Sequence, residues 1–470
     1  MRIRTFLASV CSFIILSQAV WAGGSRYKLS FNVTGWQKKV VYFGFYMGEN
    51  PYIGLDKHKK KDSAIADAKG NFEFSADSIL PQGVYFVLTK DTRQRIEFII
   101  DKEQQLVISS DTVDVVGTAK VKGSEENNLF YDYQRYLASK YKEVAKYKEQ
   151  HNKAMMDSTN MQVRRYGENL IKKHPEMLLS KILSAGMELI VPPSPKLSNG
   201  RIDSSFAYKY YKAHFFDNID LSDDRLLRSP VFFPKIKYYI EKLTVPVPDS
   251  IIAAADYIIS KTGSAKEMFK FIVSWITDKY ETSEIMGMEK VFVHMVQKYY
   301  TPEKAFWVSA SQLERIRERA AQLYPVLLGM HAPALALPDS ENVIHPIDSI
   351  HANYTVLYFW DYDCGHCQQE TPKLIKWYDS IKGEGIEVYA VEENEKDIKK
   401  WKDYVKKNKL DWINVSDIFN TGTFRRQYDI ITTPTIYVLD ENKNIIAKKI
   451  NVSDLNKVIK HDMERKEGKK

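Results

Sequence analysis

The chain has 470 residues, too many for one hydrophobic core, and at roughly 100–200 residues per domain it predicts a modular protein. Its 44% hydrophobic and 27% charged residues exclude a disordered or fibrous protein. A formal net charge of +8 is too mild to make nucleic acid a partner by itself.

Residues 1–22 read as an export signal. Arg2 and Arg4 form a positive start, Phe6 to Ala19 an apolar stretch, and Val20-Trp21-Ala22 a small-x-small cleavage site. The stretch is shorter than the ~20 residues of a spanning helix and Gln18 interrupts it, so cleavage after Ala22 is favoured over retention as an anchor. A lipidated Cys11 is the other reading, disfavoured because Val10 is a poor preceding residue and the cut would fall inside the apolar stretch. Cleavage lowers the charge to +6, since two arginines leave and no acid does. It also removes Cys11 and leaves only Cys364 and Cys367. No later segment is apolar for long enough to cross a bilayer, so the expectation is an exported protein of the periplasm or cell envelope.

Residues 23–123 carry short β-rich runs at 27–33, 40–46, 83–88 and 95–100, with Lys69-Gly70-Asn71 as a turn before Phe72-Glu73-Phe74; they predict an antiparallel β-sandwich. The basic run at 57–61 has no aromatic interleaving and reads as a solvated loop. Residues 124–328 predict an all-α region. Phe130, Tyr133, Leu137, Tyr141 and Val144 form a helical stripe, Pro192, Pro193 and Pro195 break the segment, and Asp249-Ser250 is expected to cap a new helix after Pro246 and Pro248. The aromatics Phe215, Phe216, Phe232, Phe233, Tyr238 and Tyr239 are expected in the core rather than in a ligand groove. Residues 329–464 alternate strand and helix, then give two adjacent strands, 435–439 and 445–449, and a closing helix; this βαβ–ββα order predicts an α/β thioredoxin-like fold. Residues 465–470 are expected to be a disordered charged tail.

Cys364-Gly365-His366-Cys367 follows a strand and opens a helix, which puts the first sulfur beside unpaired N–H groups at the positive end of the helix dipole. A cysteine so placed can ionise at ~3.5–7.5 instead of ~8.5, and its thiolate is the nucleophile of disulfide exchange. Cys367, one turn on, can then attack the mixed disulfide; two cysteines are the minimum for this cycle. His366 between them would stabilise the Cys364 thiolate and make the couple more oxidising.

Phe359-Trp360, Cys364-x-x-Cys367, Glu370-x-Pro372 and Thr433-Pro434-Thr435 together resemble the TlpA/ResA-like branch of thioredoxin-fold thiol-disulfide oxidoreductases, with a redoxin or AhpC/TSA-like C-terminal domain. The resemblance implies a redox disulfide Cys364–Cys367, a cis Pro434 packed against it, and pairing of an extended substrate with the Thr433 backbone. It implies a helix kink at Pro372 and a Glu370 carboxylate that tunes the thiols and shuttles the proton of Cys367. Phe359 and Trp360 read either as core or, for Trp360, as close enough in sequence to shape the rim of the site. The sequence departs from the pattern twice: Asp363 precedes the first cysteine where relatives commonly have Trp, and would oppose thiolate formation, and Tyr358 stands where thioredoxin has a buried aspartate. The N-terminal third resembles a β-rich domain of unknown function found ahead of such domains in envelope proteins of Gram-negative bacteria. The stretch from Tyr208-Lys209-Tyr210 to Tyr299-Tyr300 resembles a helical domain of unknown function with the same partner. The implied partners are thiol- or disulfide-bearing envelope proteins and a membrane electron donor, with no cofactor, metal or nucleic acid.

Three readings compete. A peroxiredoxin-like thiol peroxidase needs Thr or Ser three residues before its cysteine and Pro four earlier, where this chain has Asp361 and Leu357; peroxide turnover would reveal it. A zinc site needs four ligands, and one CxxC supplies two; metal analysis decides. A binding protein with a passenger thioredoxin domain would not need the intact CxxC and Thr-Pro pair.

Overall fold

The computed structural model describes residues 26–53, 63–90, 94–393, 397–418 and 423–468. The expected export signal and the basic run at 57–61 lie outside the described residues. The chain divides into two compact units between Lys237 and Tyr238.

In the first unit β1 (Tyr27–Thr34), β2 (Val40–Phe45), β3 (Tyr52–Ile53), β4 (Ser63–Ile65), β5 (Asn71–Ala76), β6 (Gly83–Thr89), β7 (Arg95–Ile100), β8 (Gln105–Asp111), the single turn α1 (Val115–Thr118) and β9 (Lys120–Lys122) follow in order. They form two sheets, β5-β1-β8-β9 and β3-β2-β6-β7, with β4 beside β2. Strand period buries Leu29, Phe31 and Val33 of β1 and turns Lys28, Ser30 and Asn32 away from the core. Rings close the space between the sheets, Phe31 against Phe98 at 5.6 Å and Phe43 against Phe74 at 5.2 Å. The turn at Lys69-Gly70-Asn71 needs its glycine, because φ is +81° and a Cβ would stand 2.2 Å from the Val33 carbonyl oxygen. The sandwich is not wholly antiparallel as expected: β1 pairs parallel with β8, from Lys28↔Gln105 to Thr34↔Asp111. The long path between these strands allows either direction, which hydrophobic alternation does not distinguish.

Helices follow: α2 (Glu125–Glu149), α3 (Lys153–Lys173), α4 (Leu178–Gly186), α5 (Phe206–Ala213) and α6 (Phe232–Glu241), the last crossing the unit boundary. Ser124 caps α2 through the Asn127 N–H at 3.2 Å. Asn127 then pairs with the outer edge of β7, accepting from Ile99 N–H and donating to its carbonyl, both at 2.7 Å, and Tyr131 donates to the Glu97 carbonyl at 2.8 Å. This edge explains why Tyr131 is the buried aromatic of α2, while Tyr141 of the expected stripe is exposed. Phe215, Phe216, Phe232, Phe233 and Tyr239 are buried; Tyr238 is 46% exposed.

The second unit continues with α7 (Pro248–Ser260), α8 (Lys266–Glu281), α9 (Glu289–Tyr299) and α10 (Ala310–Leu323). Pro248 occupies the first turn of α7 and Val247 its cap, so Asp249 and Ser250 lie inside the helix rather than capping it. Then come β10 (Ala336–Pro338), β11 (Ile344–Pro346), β12 (Tyr354–Trp360), α11 (Gly365–Ile381), β13 (Ile386–Glu392), α12 (Ile398–Asn408), β14 (Ile413–Ser416), α13 (Thr423–Gln427), β15 (Thr435–Leu439), β16 (Ile445–Lys448) and α14 (Leu455–Glu467). The sheet order is β14-β13-β12-β15-β16, parallel through β12–β14 and antiparallel from β12 to β15 and β16. All seven residues of β12 are buried, as befits a central strand covered on both faces. Helices α9 and α10 are ion-paired to this fold: Lys448 lies 2.6 Å from Glu289, and Asp429 takes Arg319 at 2.5 Å and Lys449 at 2.8 Å. Helix α14 runs to Glu467, past Arg465, where the charge run predicted disorder, because Arg465 and Lys466 both bind Asp462 of the preceding turn. Among the described residues no helix is long and apolar enough to cross a membrane.

Candidate active site

Strand β12 ends at Trp360, and Cys364, four residues later, caps α11: its Sγ accepts the Cys367 N–H at 3.4 Å. The same sulfur lies 3.4 Å from the Thr433 carbonyl, to which its thiol donates. The Thr433–Pro434 peptide is cis, as the resemblance implied. Thus two segments 69 residues apart meet at one sulfur. Pro372 lies inside α11, eight residues after its capping cysteine.

The two thiols are unlike. Cys364 is half-buried and Cys367 is 1% exposed; both are free thiols. Burial works against ionisation of Cys364, but hydrogen bonding with the side chains of Cys367 and Thr433 and the backbone N–H groups of Cys367 and His366 outweighs it and holds the thiol below its ordinary value. Burial pushes the Cys367 thiol up to about 12, with Cys364 adding to the effect. The arrangement therefore offers one accessible, readily ionised sulfur and one protonated sulfur a helical turn behind it.

The remaining expected site residues part company. His366 is exposed, and its backbone N–H is the group that acts on Cys364. Glu370 receives Lys373 Nζ at 2.6 Å. Asp363 is exposed, its N–H on Asp361 at 2.7 Å. Trp360 is 1% exposed, its ring packed against Tyr358 and Tyr404, so it belongs to the core and not to the rim. Strand period explains this: Tyr358 and Trp360 share the face of β12 that α11 covers. Two features escaped the sequence reading. Ile431, 74% exposed two residues before Thr433, supplies an apolar side chain beside the cis-prolyl loop. Thr371, four residues after Cys367, is buried and hydrogen-bonded to Tyr358 at 3.0 Å; the i,i+4 spacing to the second cysteine was its only signal. Among the described residues no group of three or more His, Cys, Asp or Glu side chains is placed to hold a metal ion.

The fold and this dithiol define the class, a thioredoxin-like domain with a CxxC at a helix start. Residues 328–448 match the AhpC/TSA family, residues 171–324 a domain of unknown function (DUF5106), and residues 27–130 another (DUF4369). Over 101 residues the chain is 32% identical to the sporulation thiol-disulfide oxidoreductase A of Bacillus subtilis, which covers 20% of this chain and 58% of that protein. It is 27% identical over 121 residues to the thiol-disulfide oxidoreductase ResA of Bacillus thuringiensis, covering 26% and 68%. A solved domain of a possible thiol-disulfide isomerase from Cytophaga hutchinsonii is 41% identical, covering 31% of this chain and 97% of its own, with a TM-score of 0.29. Residues 328–448 thus form an AhpC/TSA domain homologous to the ResA and sporulation thiol-disulfide oxidoreductases, and the chain spans 58% of the length of the sporulation protein.

Proposed function

We propose that this protein is an exported thiol-disulfide oxidoreductase that exchanges disulfides with protein partners in the periplasm or cell envelope. Cys364 is the nucleophile and Cys367 the resolving thiol, and the pair cycles between dithiol and disulfide. The observation that carries this reading is the asymmetry of the two sulfurs, one accessible with a lowered pKa and one buried with a raised pKa, a turn apart beside Thr433 and Pro434. The Thr433 backbone pairs with the partner's extended chain as an added strand. Residues 23–123 and 124–328 act as modules that present or position the redox domain, residues 329–464, and a membrane carrier supplies electrons. The leader-like start of the sequence and the single CxxC of the mature chain support the location.

The test is trapping. Cys367→Ser should accumulate a Cys364 mixed disulfide with its partner, and Cys364→Ser should be inert; no covalent adduct with either variant would refute the mechanism. The reduction potential against glutathione assigns the direction, since ~30 mV shifts this two-electron couple by about 1.4 kcal/mol.

A further inference from the structure

The resolving step requires Cys367 to lose its proton inside the core. The titratable groups that interact with it are Cys364 at the cap of α11, Tyr358 on β12 and Tyr404 on α12, the Thr433 side chain also bonds to it, and Glu370 acts on Tyr358. Glu370 is held in an ion pair with Lys373. Tyr358 shares the core cluster of the thiol, Tyr404 packs against that cluster, and both interact electrostatically with Cys367. Tyr358, in the central strand, is fully buried and its Oη is 3.0 Å from Thr371 Oγ1, with either atom able to donate. Thr371 follows Cys367 by four residues, so both side chains occupy one face of α11, a turn apart. Tyr404 is half-buried, interacts with the same Thr371 hydroxyl, and packs its ring on Trp360 at 5.3 Å, which in turn stacks on Tyr358 at 6.1 Å. Buried hydroxyls in an apolar core are costly unless they pair, and each can accept one proton while giving up its own.

We propose that Tyr358, Thr371 and Tyr404 form a hydroxyl relay that carries the Cys367 proton from the core to the half-exposed face of α12 as the mixed disulfide is resolved. This rests on the dithiol cycle above. In the step the Cys367 thiolate forms the Cys364–Cys367 bond while the bond from Cys364 to the partner sulfur breaks. The partner leaves as a thiolate with the electron pair of that bond. The Cys367 proton shifts along the hydroxyls to solvent at Tyr404, and the leaving thiolate is protonated from solvent. All three are positioning residues, acting on the thiol and not on the partner.

Stopped-flow reaction of the reduced full chain with Ellman's reagent separates the two steps. A first release of thionitrobenzoate, dependent on reagent concentration, reports Cys364; a second, independent of it, reports attack by Cys367. Tyr358→Phe and Thr371→Val should slow the second phase about tenfold at neutral pH and move its pH midpoint upward, with the first phase unchanged. Thr371→Ser should restore the wild-type second phase, and Tyr404→Phe should fall between. The relay is overturned if the second phase of Thr371→Val matches wild type, if Thr371→Ser is as slow as Thr371→Val, or if both phases slow together. A wild-type chain that lacks the second phase would instead overturn the dithiol cycle itself.

Discussion

Asp429 is the residue through which α10 should govern the cis-prolyl loop. It sits four residues before Thr433 with φ +49° and a side chain 1% exposed, bonded by Arg319 at 2.5 and 3.3 Å and by Lys449 at 2.8 Å. Burial raises its carboxyl pKa, but the bonds from Arg319 and Lys449 outweigh this and hold it below the usual carboxylate range. Asp429→Asn keeps the shape and tolerates the left-handed backbone, so it isolates the charge. Hydrogen bonds to charged groups contribute ~1.5–3 kcal/mol each when dry. The cations are 30% and 47% exposed and will rehydrate, which discounts the loss to about 2 kcal/mol in all. Asp429→Ala should cost about 1 kcal/mol more, since alanine resists positive φ. With a urea slope of ~2 kcal/mol/M the midpoint, followed by the fluorescence of Trp360, Trp377, Trp401 and Trp412, should fall by about 1 M for Asp429→Asn. A carboxylate with a depressed folded pKa stabilises the fold above its unfolded value of ~3.9 and loses that contribution as pH falls through the folded value. The deficit of the variant should therefore be full at neutral pH, begin to shrink below pH ~4 and vanish only below the depressed folded value. An unchanged midpoint at pH 7, or a deficit that persists in acid, would refute the assignment.

The pH profile of alkylation should be lopsided: Cys364 reacts with iodoacetamide with a midpoint below that of an ordinary thiol, and Cys367 stays inert through neutral pH, as peptide mapping by mass spectrometry will register. Glu126 is 4% exposed, accepts Leu179 N–H at 2.6 Å, and burial lifts its carboxyl to about 7. An acid raised in the folded state costs stability as pH climbs from its unfolded value of ~4.3 to the folded one, so Glu126→Gln should gain about 3 kcal/mol at pH 8 and nothing at pH 4, read from urea midpoints. Asn127→Ala strips both buried Ile99 backbone groups of their partners and should cost ~2–4 kcal/mol in the first unit by chemical denaturation; a loss under about 1 kcal/mol would mean that the β7 edge finds other partners.

Local pattern was enough wherever one element made its own case. The alternation in β1, the seven-residue apolar run of β12, the cap-and-cysteine start of α11 and the Thr433-Pro434 pair were all legible, because strand period, helix ends and a CxxC beside a strand are local signals. The parallel pairing of β1 with β8 was not, since register across a long connection is settled by which face of each sheet is buried. Sequence also left Trp360 open between rim and core, and its place on the covered face of a central strand makes it core. Sequence alone determined that two reactive sulfurs would sit at a helix start and that a proline loop would accompany them. The helix start also made Cys364 the more readily ionised of the two, but only the tertiary structure showed what else sets them apart, because the pKa of a thiol depends on burial and hydrogen bonds: the Thr433 side chain, from a distant segment, bonds to both sulfurs, and the core that holds Tyr358 buries Cys367.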